Sequence, residues 1–117
     1  MMIEYKELHA NEEWEQAWEG STEKPVLLFK HSTTCPISAK AYGQYQTFLE
    51  SADQEIDSYL VKVIEDRPVS NQIAEITEVK HESPQIFLIR DKEVLWHTSH
   101  SKITVESIGE AVRGAAE

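Results

Sequence analysis

Two runs of consecutive apolar residues, Val26–Phe29 and Ile86–Ile89, constrain the fold of this chain more than any other feature. Each is the length of a short strand, and with every position apolar, neither face can be left to water. Such strands need a covering layer above and below, and the segments between them supply it. Asn11 caps a helix whose first turn carries Glu12 and Glu13, whose inward stripe is Trp14, Ala17 and Trp18, and which Gly20 ends. Pro36 opens a second helix, with Ile37, Ala41, Tyr45, Phe48 and Leu49 along one face. Pro68 opens a third, with Val69, Ile73 and Ile76 inward, and Thr104 caps a fourth over Ile108, Ala111, Val112 and Ala115. Ile3–Glu7 and Tyr59–Ile64 read as further strands, and Asp91 with Lys92 turns Ile86–Ile89 into Glu93–Ser99 as a hairpin. The order β-α-β-α-β-α-β-β-α predicts an open α/β sandwich, a mostly parallel sheet covered on both faces with the hairpin as an antiparallel edge. A chain of 117 residues has room for one such domain, spanning 1–117.

Charge and cysteine content narrow the chemistry. The formal net charge of −10 repels phosphate backbones and anionic lipid, so neither nucleic acid nor membrane is an expected partner. The sequence has no apolar run of membrane-spanning length and no apolar signal core near its start, which makes the cytoplasm the expected location. Cys35 is the only cysteine, which rules out a disulfide framework and a zinc site built from several thiolates. It stands between the strand Val26–Phe29, with a loop Lys30–Thr34, and the helix beginning near Pro36. Ligands bind at this end of open α/β sheets, and a sulfur there faces the free N–H groups and positive dipole end of a helix. Both favour thiolate, the reactive form. The flanking segment Pro25–Leu49 contains no Asp or Glu, although the chain has 21 acids; Lys30, His31 and Lys40 remain. They are expected to form a positive spot that receives the carboxylates of an anionic thiol. Pro36 is expected to aim the first-turn N–H groups at the sulfur, and Ser38 to donate a hydrogen bond to the thiolate.

Thr34, Cys35, Pro36, Ile37 and Ser38 spell T-C-P-I-S, and Ser83 with Pro84 precedes the later buried strand. On these residues the chain resembles thioredoxin-fold proteins, and more narrowly the monothiol bacilliredoxin family, YtxJ-like. The resemblance implies a three-layer sandwich with a mixed sheet of four to five strands and helices on both faces. It implies Cys35 as nucleophile, Ser38 where dithiol relatives carry a resolving cysteine, and a cis-proline at Pro84, beside Ser83, facing Cys35. It also implies the reaction: removal of bacillithiol from S-bacillithiolated cytosolic proteins, with bacillithiol as co-substrate and an NADPH-dependent flavin reductase of bacillithiol disulfide downstream. No tightly bound cofactor and no metal are expected.

Other readings compete. Ser32, three residues before Cys35, loosely resembles a peroxiredoxin motif, but Leu28 stands where that motif has proline, and the nearest arginine in sequence is Arg67. Monothiol glutaredoxins that carry an iron–sulfur cluster have Gly-Phe after the cysteine, where this chain has Pro36 and Ile37. A non-catalytic thioredoxin-fold binding module is the third alternative, and an unreactive Cys35 would favour it. His97 and His100 do not suggest a metal pair, since residues three apart on a strand point to opposite faces. Trp14 and Trp18 read as core.

Overall fold

The computed structural model describes residues 3–52 and 55–116; the ends of the expected domain, at 1 and 117, lie outside them. Strands β1 (Tyr5–Glu7), β2 (Val26–His31), β3 (Asp57–Lys62), β4 (Gln85–Arg90) and β5 (Glu93–Ser99) form one sheet in the order β1-β3-β2-β4-β5. Between and after them run α1 (Asn11–Gly20), α2 (Pro36–Ser51), α3 (Arg67–Thr77) and α4 (Val105–Ala116), the last preceded by a 3₁₀ turn at His100–Lys102. The two apolar runs lie side by side near the centre, Leu27 opposite Leu88 and Phe29 opposite Ile86. Pleating sends their side chains alternately to two cores. Leu27, Phe29, Ile86 and Leu88 pack with Tyr45 and Phe48 of α2 and Ile108 and Val112 of α4. Val26, Leu28, Phe87 and Ile89 pack with Trp14 and Ala17 of α1 and Val69 and Ile73 of α3. The result is the expected sandwich of five strands with helices on both faces.

The sheet is not mostly parallel. β3 pairs in parallel with β1 and β2, but β4 runs antiparallel to both β2 and β5. Alternation of strands and helices does not fix direction when a long connection intervenes, and Glu78–Pro84 returns the chain so that β4 starts where β2 ends. That reversal positions the site: Gln85 pairs with Lys30, so Pro84 is level with the exit of β2 toward Cys35.

Strand β2 extends through Lys30 and His31, which the sequence reading placed in a loop, because β3 pairs with it as far as Lys62. β3 itself starts and stops two residues before the expected Tyr59–Ile64, leaving Ile64 exposed. At α1 the N-cap is Ala10 rather than Asn11, and Glu13 Oε1 accepts from the His9 and Ala10 N–H groups instead. The expected cap at Thr104 is present: Ser107 N–H donates to Thr104 Oγ1, and Thr104 N–H to Ser107 Oγ, both at 3.0 Å. Among the described residues, no helix is long and apolar enough to cross a membrane.

Candidate active site

Cys35 is the N-cap of α2, with extended backbone (φ −104°, ψ 122°), and Pro36 is the first helical residue. A cap side chain lies over the unpaired N–H groups of the first turn. Pro36 has none to offer, and the Cys35 side chain makes no cap hydrogen bond with the N–H groups that follow, so the expected aiming of these groups at the sulfur is not seen as a bond. The approach loop is closed by the Cys35 N–H on Ser32 O (3.2 Å), and α2 begins with the Ala39 N–H on Cys35 O (3.0 Å). The thiol is half-buried, while Thr34 and Pro36 on either side are exposed.

Ser38 does something other than expected. Its side chain is fully buried, and its Oγ accepts the Ser32 N–H at 2.9 Å while lying 2.8 Å from His31 Nδ1. The hydroxyl therefore ties the Cys35 loop to the end of β2. His31 is itself held by stacking on Tyr42 (4.8 Å between centroids) and Phe29 (5.7 Å). Burial lowers the pKa of His31, favouring the neutral ring.

Ser83 and Pro84 immediately precede Gln85, which pairs with Lys30, and the peptide bond between them is cis. Pro84 is buried, and its carbonyl accepts the His100 N–H at 3.1 Å. His100 leads to a groove of about 410 Å³ lined by Ile37, Lys40, Ala41 and Gln44 of α2 and by His100, Ser101, Ile103 and Thr104. No acid lines it. Ile37, the second residue after the thiol, is 53% exposed at its edge.

The expected cluster of Lys30, His31 and Lys40 is not brought together. Lys40 is exposed on the groove, but Lys30 alternates with Leu28 onto the opposite face of the sheet and is 0% exposed. Its ammonium donates to Ser70 O (3.3 Å) and His81 Nδ1 (3.1 Å) and lies 5.7 Å from the centre of the Phe87 ring. Burial pushes its pKa down to about 8. The acid-free segment is also not free of acids in space, since Thr33 Oγ1 donates to Glu65 Oε2 at 3.0 Å. Of the three expected basic residues, only Lys40 lines the groove. His100 is weighed in the sequence only as half of a metal pair, and His81 and Gln85 carry no signal there because each lies near a run whose apolar residues dominate the pattern.

His97 lies on β5 and His100 just beyond its end. Among the described residues, no three His, Cys, Asp or Glu side chains are grouped to hold a metal.

Comparison with known proteins agrees with this geometry. One solved structure, a candidate oxidoreductase with a thioredoxin fold, is 41% identical and superposes with a TM-score of 0.83 over 92% of each chain. A thioredoxin from Malassezia sympodialis (10% identity, TM-score 0.78, covering 98% of this chain and 93% of that one) shares the fold. So does spinach chloroplast thioredoxin f (13%, 0.75, 99% and 96%). Residues 6–108 match the family described as monothiol bacilliredoxin BrxC. A cysteine capping the helix after a central strand, with proline next and serine one turn on, is thus carried by a thiol oxidoreductase of the thioredoxin fold, and the chain belongs to the monothiol bacilliredoxin family.

Proposed function

We propose that the protein removes bacillithiol from S-bacillithiolated proteins of the cytoplasm. The observation that carries this reading is the single sulfur at the cap of α2 with a hydroxyl, not a second thiol, at Ser38. The Cys35 thiolate attacks the bacillithiol sulfur of the mixed disulfide; the new S–S bond forms to Cys35, and the old one breaks. The substrate's sulfur leaves with the electron pair and takes a proton from solvent. Ser38 has no thiol with which to attack the adduct, so a second bacillithiol thiolate does so. Bacillithiol disulfide is released and Cys35 returns as thiolate, while an NADPH-dependent reductase restores the small thiol. The groove beside Ile37 receives the carboxylate-bearing end of bacillithiol, with Lys40 at its rim. Nothing in this cycle calls for a bound cofactor.

The test is release of bacillithiol from a modified protein, by wild type and by Cys35→Ala, with free bacillithiol present. Wild type accelerates release, and the variant leaves it at the uncatalysed rate. Release by the variant as fast as by wild type would refute the assignment.

A further inference from the structure

Two polar side chains buried on the face of the sheet away from α2 remain unexplained by this chemistry. Lys30 and Gln85 face each other across β2 and β4 and are 0% and 1% exposed. Directly opposed residues project to the same face, so the two side chains lie next to each other. Burying an ammonium and an amide is costly unless hydrogen bonds compensate. Here most of those bonds converge on one short segment, Lys80–Glu82. Lys30 Nζ donates to His81 Nδ1, Gln85 Nε2 donates to Lys80 O at 3.0 Å, and the Glu82 N–H donates to Gln85 Oε1 at 3.2 Å. Ser70 O anchors the ammonium to α3 at the same time. Among the described residues no carboxylate is a hydrogen-bond or ion-pair partner of the ammonium.

The next two residues after the held segment are Ser83 and Pro84, level with the exit of β2 toward Cys35 and joined through Pro84 O to His100 at the groove. We propose that Lys30 and Gln85 are positioning residues: they clamp Lys80–Glu82 and so hold the half-buried Ser83 and the buried Pro84 in the place that borders the approach of a protein mixed disulfide to Cys35. The inference rests on the function proposed above. A small disulfide needs only the sulfur and its groove, whereas a protein substrate also needs the neighbouring backbone in place. Loss of the clamp therefore separates the two substrate classes.

Lys30→Met keeps the length of the side chain and its packing on Phe87 while removing the ammonium, and Gln85→Leu removes both amide contacts. Each is expected to raise KM for a bacillithiolated protein about tenfold, as modest misplacement does. Iodoacetamide alkylation of Cys35 and turnover of a small neutral mixed disulfide stay within about twofold of wild type, since these need no extended surface. His81→Phe, at an exposed position, removes the ammonium's contact with the segment and gives the same direction. Exchange of the Glu82 amide reads the clamp without turnover and is faster in both Gln85→Leu and Lys30→Met. Wild type that failed to release bacillithiol would overturn the proposed function. Wild type that works, with variants that keep its protein KM or lose protein and small-disulfide turnover in parallel, would overturn the clamp.

Discussion

Ser38 carries two roles that substitution separates. As the third helical residue after a capping Cys35 it lies one turn from the sulfur, the spacing at which side chains meet. In Ser38→Cys the new thiol attacks the bacillithiol adduct from within the chain, closing a disulfide and expelling the small thiol, a reaction that effective concentration favours strongly. The adduct becomes short-lived in that variant and persists in wild type, as mass spectrometry of samples trapped at intervals without free thiol will show. An equally persistent adduct would mean that residue 38 does not occupy the resolving position. Ser38→Ala tests the structural role. It leaves the Ser32 N–H and His31 Nδ1 without their shared partner, and urea denaturation should show a loss of about 1–3 kcal/mol. The sequence made Cys35, Pro36 and Ser38 legible as a group because their spacing is local. The partner of Ser38 was not legible, because His31 reaches it only through strand pairing that carries β2 two residues further than its apolar run.

At the scale of elements, the strands were visible as apolar runs, and the helices as amphipathic stripes opened by Pro36, Pro68 and Thr104. Direction and true length were not. Lys30 and His31 look like the end of a strand because charge normally marks exposure, yet alternation continues through them and sends one to each core. A lysine hidden in this way leaves a thermodynamic signature. Its pKa is pushed down to about 8 in the folded chain, against an ordinary 10.5. Between those values the unfolded chain binds more protons than the folded one, so stability gains a rising contribution with pH across that window. Below about pH 8 the buried charge works against the fold. Lys30→Met removes this contribution. At neutral pH the variant is expected to be at least as stable as wild type, as replacement of buried ionic groups often is. That advantage should shrink as pH rises from 8 to 10.5 in denaturation experiments on the pair. A variant less stable at pH 7 by a margin independent of pH would contradict it. Retained stability also separates a positioning role for Lys30 from a merely structural one.

For the molecule as a whole, a charge of −10 surrounds a groove at Ile37 and Lys40 that no acid among the described residues lines, so an anionic ligand meets general repulsion and one local attraction. Lys40→Glu is expected to slow attack on a bacillithiol-containing disulfide about three- to tenfold more than attack on a neutral one, and added salt should reduce that difference. Equal slowing of both would remove Lys40 from ligand binding. The fold turns these parts into one site: the antiparallel return of β4 carries Pro84 to the end of the sheet where β2 delivers Cys35, and the 3₁₀ turn closes the groove. In the proposed cycle one sulfur accepts the small thiol and holds it until a second thiol arrives. Intact mass of wild-type protein mixed with a bacillithiolated substrate, in the absence of free thiol, tests this directly. A single increment on the chain is expected, one bacillithiol less one hydrogen, matched by loss of the same group from the substrate and erased when bacillithiol is added. An unchanged mass beside a substrate that keeps its bacillithiol would contradict it.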